Sequence, residues 1–404
     1  MNVQTIREDF PVLKTVINGK PIIYLDNACM TLKPTQVIEA MNKYYYEHPA
    51  CGGRSVHKFG TQVSIKCDSA REKIKKFINA DEAEEIIFTR NTTEGLNLIA
   101  RSYEFEKGDV VLTTDREHNS NLAPWHLMSE LKGIKHETLH SNPDNTFNME
   151  AFEERMGKNI KMVSMVHTAN LEGYTIPAKE IIKIAHDHGT LVMLDGSQSA
   201  AHRHIDVKGL DVDFFSFSIH KMCGPTGMGV LYGKYDLLKD LSPFIVGGDT
   251  IYETTYETSK FLDPPNRFEG GLQNYAGIIG SGSAVDYLFN IGMKNIQEHE
   301  TKLNRIMTSM VENIPNVHII GPKEPEKRAG IVSFWVDDFD PHDLAMIMDE
   351  VANIMLRSGM HCVHSWFKAR GINGSTRASA YFYNTEDEVK FFAETLKEIL
   401  GKMG

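Results

Sequence analysis

Residues 212–227 read Val212-Asp213-Phe214-Phe215-Ser216-Phe217-Ser218-Ile219-His220-Lys221-Met222-Cys223-Gly224-Pro225-Thr226-Gly227. An apolar run (Val212, Phe214, Phe215, Phe217) carries straight into Ser218, His220 and Lys221, and then into a Gly/Pro turn. The pattern predicts a buried strand that stops at a lysine. A lysine placed there and partly desolvated becomes a nucleophile toward an aldehyde. A strand-end lysine pointing into water fits the segment equally well.

Upstream, Leu191-Val192-Met193-Leu194 ends in Asp195, with Gln198 three residues on. This predicts a second buried strand with an acid at its carboxyl end, where ligands bind in open α/β sheets. Pyridoxal 5'-phosphate (PLP) needs a carboxylate in that position to keep its pyridinium nitrogen protonated. Taken alone, Asp195 is more simply a helix cap or turn residue. Asp195 and Lys221 together, each at a strand end, point to PLP.

Outward from these strands, helix and strand alternate from about residue 35 to 290. Helices are expected at 34–48, 61–79, 92–103, 123–131 and 178–188, and strands at 85–89, 109–113, 160–166 and 229–232. Such alternation indicates an α/β fold with a mostly parallel sheet covered on both faces. After about residue 290 two helices, 292–312 and 341–351, flank a strand at 330–336, with Asp340 as cap and Pro341 at the first helical position. A strand at 377–383 and a helix at 385–400 follow. The expected division is a large PLP-binding domain over 21–285 and a smaller α+β domain from 1–20 and 286–404. The segment 241–274, rich in Gly, Pro and polar residues, is too long to be inert and suits an active-site or subunit-interface role.

The 404 residues are 41% hydrophobic and 24% charged, with a net charge of −11, the balance of a soluble globular chain without a basic stripe for nucleic acid. Neither a signal-peptide core nor an apolar stretch of membrane-spanning length is evident, so the expected location is the cytoplasm. Cys29, Cys51, Cys67, Cys223 and Cys362 are odd in number and scattered, and no CxxC pair is present, so neither a disulfide framework nor a structural metal site is expected.

Three more segments carry chemistry. Thr89-Arg90-Asn91-Thr92-Thr93-Glu94-Gly95 lies between a strand and a helix, a ready phosphate site and equally a capping box with Thr as the cap. Arg116-Glu117-His118 follows another strand, and a histidine there can stack on a cofactor ring or carry a proton; among seventeen histidines, a surface or core role is the ordinary alternative. Arg357-Ser358-Gly359-Met360-His361-Cys362 puts a cysteine in a short polar loop beside His361, which fits a reactive thiol as well as a buried small residue. Arg377 starts a strand and could grip a carboxylate or sit in a surface ion pair. Gly229 to Gly233-Lys234 lacks the spacing of a nucleotide-binding phosphate loop.

With these residues in view the chain resembles the class V (fold type I) PLP enzymes, and within them the SufS-type cysteine desulfurase and selenocysteine lyase family. The resemblance runs from Tyr24-Leu25-Asp26-Asn27-Ala28 to Tyr383-Asn384-Thr385, and its specific parts are His220-Lys221-x-x-Gly224-Pro225-Thr226-Gly227 and Gly359-Met360-His361-Cys362. It implies Lys221 as the Schiff-base lysine, Asp195 at the pyridine nitrogen, Gln198 at the ring hydroxyl and His118 on the ring. Thr93, Ser218 and His220 would bind the phosphate, with the backbone at Thr92 helping and Asn170 beside the cofactor. Arg377 would hold the substrate carboxylate, with Arg357 and Asn27 nearby, and Cys362 would accept sulfur. The implied activity converts L-cysteine to L-alanine and leaves a persulfide on Cys362 for an acceptor protein, in a homodimer, as in iron–sulfur cluster assembly. A selenocysteine lyase, an aminotransferase, another β-lyase, or a non-catalytic scaffold of the same fold are the alternatives. The chain departs from the family at Cys29-Met30, at Gly53-Arg54-Ser55-Val56-His57 and at Leu272, where the family has a threonine that reaches the partner's PLP phosphate. These departures imply altered phosphate binding or substrate preference.

Overall fold

The computed structural model describes residues 1–157 and 159–403. Its centre is a seven-stranded sheet: β1 (Ile86–Thr89), β2 (Val110–Thr114), β3 (Lys135–Leu139), β4 (Ile160–Val166), β5 (Leu191–Asp195), β6 (Phe214–Ser218) and β7 (Gly229–Gly233). The strand order is β1-β7-β6-β5-β4-β2-β3. Pairing is parallel from β6 to β3, and β7 is antiparallel to both β1 and β6. This is the expected α/β architecture of a fold type I enzyme.

Strand alternation divides the side chains between two faces. Ile86, Phe88, Val192, Leu194, Phe215 and Phe217 enter one core, and Ile87, Met193, Phe214 and Leu231 the other. Both faces are dry, so the central strands read as apolar runs. Several elements escaped the sequence reading, the long helix Tyr275–Ile291 among them. The edge strand β3 spells Lys-His-Glu-Thr-Leu and is mostly exposed or half-buried, and the helix Met149–Arg155 is short with one buried residue, Phe152. Edge strands of this kind carry charge instead of an apolar signal.

A second, antiparallel sheet is built from β8 (Val317–Ile319), β9 (Ile331–Val336), β10 (Arg357–Gly359) and β11 (Ser375–Ser379), in the order β8-β9-β11-β10. Helices Met293–Val311, Pro341–Ala352 and Glu386–Met403 pack on it. Leu303, Met307, Phe334, Met348 and Phe392 form its core. Asp340 accepts the His342 N–H, the cap expected before Pro341.

The chain's first residues cross between these cores in both directions. Phe10 and Leu13 lie in the large core, whereas Ile23 and Leu25 lie in the second, where Ile23–Tyr24 pairs in parallel with Ile354–Met355. The strand expected at 377–383 stops at Ser379. Tyr381 and Asn384 close a turn instead, and the Tyr383 ring packs tilted against Phe10, 4.6 Å between centroids. Tertiary packing of the aromatic run overrides its strand propensity.

Candidate active site

Strands β1, β2, β4, β5 and β6 all end at the same edge, and the residues just past their carboxyl ends line one cavity of about 240 Å³. Brought together there are Thr92 and Thr93 after β1, His118 after β2 and Asn170 after β4. Asp195 and Gln198 come from β5, and Ser218, His220 and Lys221 from β6. The second sheet closes the cavity with Arg357, Cys362 and Arg377, and the turn after residue 26 adds Ala28 and Cys29. A site this assembled from sequence-distant strand ends is the switch-crevice arrangement of open α/β sheets.

Lys221 ends a single 3-10 turn, Ile219–Lys221, that directly follows β6. Burial lowers its ammonium pKa, Asp195 opposes that shift, and the Arg377 charge adds to it. The amine is therefore more readily neutral than a surface lysine. Asp195 is buried at the end of β5, and its Oδ1 accepts the Ser197 N–H at 2.9 Å.

His118 Nδ1 accepts the Ser120 N–H at 3.1 Å, so the neutral ring carries its proton on Nε2. Burial, with the Lys221 charge, pushes its pKa down to about 4. The neighbouring Glu117, which the sequence reading passed over, is buried under this loop. Its carboxylate accepts from Asn121 Nδ2 at 2.7 Å and Val166 N at 3.0 Å, and burial raises its pKa to about 7.

At the helix start beside β1, the cap is Asn91 and not a threonine. Asn91 is extended, and its Oδ1 accepts the Glu94 N–H at 3.0 Å. This leaves the threonines free for other work. Ser218 Oγ lies 2.7 Å from Thr92 Oγ1 and accepts the Thr92 N–H at 2.9 Å. Ser197 Oγ donates to Thr92 Oγ1 at 2.8 Å, and Thr93 Oγ1 lies 2.8 Å from Ser120 Oγ. The result is a cup of hydroxyls at a helix N-terminus, suited to a phosphate. Ser197 and Ser120 were missed as partners, although each lies within a segment singled out for its neighbours.

Arg377 is buried; its Nη1 donates to the Asn170 carbonyl at 2.9 Å and its Nη2 to Asp26 Oδ1 at 3.3 Å. Asn170 Nδ2 donates to the His361 carbonyl at 2.8 Å, which fixes the loop before Cys362. His361 and Cys362 both hold positive φ, 48° and 59°, a sharp left-handed corner that turns the half-buried thiol into the cavity. Arg357, paired across the strands with Arg377, is exposed and donates to Cys29 Sγ at 3.5 Å. Asn27, expected at the substrate, does not line the cavity. Its amide donates to Ser379 O at 2.7 Å and Asn384 Oδ1 at 3.1 Å and accepts from Tyr383, which places it wholly in the joint between the two cores.

Among the described residues, three buried polar atoms at this cavity lack a protein partner: Asn170 Oδ1, His361 Nδ1 and Arg377 Nε. Buried polar groups are normally paired, so these mark places for a ligand. A poised amine, an opposing carboxylate, a hydroxyl cup and a free guanidinium edge fit PLP and an amino-acid carboxylate.

Residues 23–392 match the aminotransferase class-V family. A Halalkalibacterium halodurans protein named a probable cysteine desulfurase is 40% identical over 401 residues, covering 98% of each chain. The apo structure of a cysteine desulfurase from Thermococcus onnurineus superposes with a TM-score of 0.94 at 36% identity, covering 99% of this chain and 98% of that one. An S-sulfonic acid form of a cysteine desulfurase from Escherichia coli superposes with a TM-score of 0.92 at 29% identity over 99% of each chain. The chain belongs to the class V aminotransferases, PLP enzymes of fold type I, and within them to the cysteine desulfurase family.

Proposed function

We propose that this chain is a PLP-dependent cysteine desulfurase that converts L-cysteine to L-alanine and holds the released sulfur as a persulfide on Cys362. The observation that carries the reading is the convergence of Lys221, Asp195, Arg377 and Cys362 on one cavity. Lys221, Asp195, Gln198, His118 and the hydroxyls of Thr92, Thr93 and Ser218 would hold the cofactor, with His220 and Asn170 at its margins. Bound there, PLP supplies an electron sink for charge developing at the substrate α-carbon.

The chain's own groups do the rest. Arg377 orients the substrate through its carboxylate, and its contacts to Asp26 and Asn170 keep the guanidinium plane fixed. Lys221 Nζ, favoured in its neutral form by burial, takes the α-proton. His118 stays neutral at physiological pH and offers Nε2–H as a donor. Cys362 Sγ attacks the substrate sulfur: an S–S bond forms, the C–S bond breaks, and its electron pair goes to the substrate carbon, which is then protonated. Alanine leaves and the persulfide remains.

The sulfur passes to an acceptor protein from the half-buried Cys362 on its turn past β10. The functional unit is a homodimer. Supporting this are the exposed apolar residues Ile245, Val246, Tyr252, Tyr256 and Leu272, gathered in the 241–274 segment. Among the described residues no helix is long and apolar enough to cross a membrane, which fits work in the cytoplasm. Purified protein loaded with PLP should release alanine from cysteine when a thiol is present, and Cys362→Ala should abolish that turnover. Full turnover by Cys362→Ala would overturn the assignment.

A further inference from the structure

Behind the cavity a line of buried polar side chains leads away from the reacting groups. Gln198 Nε2 donates to the Ala28 carbonyl at 2.7 Å, and its Oε1 lies 3.2 Å from His202 Nε2. His202 Nδ1 lies 3.0 Å from both carboxylate oxygens of Glu300. Gln198, His202 and Glu300 are 1%, 2% and 1% exposed. Gln198 and His202 bracket the short helix Ser199–His202, whereas Glu300 belongs to the helix Met293–Val311 that packs on the second sheet.

The protons in this line can be placed. An amide oxygen only accepts, so His202 Nε2 carries a hydrogen. One further proton is shared between Nδ1 and Glu300, as imidazolium with carboxylate or as imidazole with carboxylic acid. In both forms the Nε2–H remains aimed at Gln198. Flipping the Gln198 amide would set N–H against N–H at His202 and oxygen against oxygen at Ala28. The amide therefore has one orientation. Of its two N–H donors Ala28 takes one, and the other is left for the cavity that Gln198 lines.

The line is costly to bury. Desolvation raises the Glu300 carboxyl, opposed by His202, His299 and Arg203. Tyr381 closes the remaining side, its ring edge-on to His202 at 5.1 Å and its hydroxyl donating to the Ala201 carbonyl at 2.8 Å. A buried ion pair adds little net stability compared with apolar packing, and its best-attested role is to fix one arrangement.

We propose that His202 and Glu300 are positioning residues that lock the Gln198 amide with an N–H toward the cofactor's ring oxygen, and so set the pH at which the bound cofactor's visible absorption changes. The proposal rests on the PLP reading of the site. An N–H donor stabilises the anionic ring oxygen; removing the lock weakens that bond and raises the apparent pKa of the absorption change.

The test is an absorbance titration of the PLP-loaded protein. His202→Phe keeps a ring against Tyr381 but has no donor, and should raise the apparent pKa by about one unit, the tenfold weight of one hydrogen bond to a charged oxygen. His202→Gln restores a donor and should return the titration toward wild type. Glu300→Gln should shift it upward by less than His202→Phe. If His202→Phe does not fold, His202→Asn, too short to reach Gln198, is read in the same way. A wild-type titration in the folded His202 variants, with Gln198→Leu shifted, would overturn the lock and leave the cofactor site standing. An unshifted Gln198→Leu would remove the ring-oxygen contact itself, and a wild-type protein that shows no visible band with PLP would sink the underlying reading.

Discussion

Arg377→Lys separates the substrate-holding role of this residue from its charge. A lysine keeps one positive charge opposite Asp26, whose carboxyl is raised by burial and lowered by Arg377. It loses the planar fork and the 2.9 Å bond to the Asn170 carbonyl. The missing contact to a substrate carboxylate is one charge-assisted hydrogen bond, worth about 1.5–3 kcal/mol, so KM for cysteine should rise about ten- to hundredfold. Because the carboxylate is held alike in ground and transition states, kcat should hardly move. The assay is alanine release against cysteine concentration with excess thiol. Asn170→Ala is the contrasting variant: it frees the His361 carbonyl that steadies the Cys362 loop, and its loss should fall on kcat. An unchanged KM in Arg377→Lys, or a loss confined to kcat, would refute the reasoning.

Three other outcomes follow from the geometry. Half-buried His118 and buried His167 are pushed from 6.5 down to about 4, so between those values only the unfolded chain takes up their protons; their contribution to stability should be flat above pH 6.5 and fall toward pH 4, with Glu117, raised to about 7, sloping the opposite way, and His167→Gln should change the measured slope in urea titrations by removing one histidine's share. Glu269 is held by Arg71 through two 2.8 Å bonds and accepts Phe88 N–H at 2.7 Å, so Glu269→Ala, which takes the counter-charge from a half-buried guanidinium and unpairs the Phe88 N–H, should cost about 3 kcal/mol in chemical unfolding. Leu272 is 73% exposed, and, in the proposed homodimer, Leu272→Thr should add a phosphate donor that slows PLP loss about tenfold in a chelation or dialysis assay; an unchanged rate counts against the proposed interface.

The parts of the fold legible in the sequence were those whose signal is local. Strands β4, β5 and β6 are apolar runs because both sheet faces are dry, and Lys221 and Asp195 stand out as the polar residues that end them. The edge strand β3 has no such signal, since solvent on one side removes the apolar run. Tyr381 to Tyr383 carried a strand signal that long-range packing against Phe10 overrules. In the site, the residues that touch the cavity were mostly readable by type and position. Those that hold them were not. Glu117, His202 and Glu300 act through buried hydrogen bonds between distant segments, and Glu300 lies 98 positions from the His202 it meets. Asn27 failed in the opposite sense: it stands beside cavity residues, but its amide is fully occupied between Ser379, Asn384 and Tyr383.

The central claim is that sulfur leaves cysteine for the thiol of Cys362. PLP-loaded protein given one equivalent of cysteine without reductant, then digested and weighed by mass spectrometry, tests it directly. The account predicts one added sulfur atom on the peptide that contains Cys362, with one alanine released and neither product from Lys221→Ala. Alanine released with the added sulfur on Cys29 or on no cysteine would contradict it.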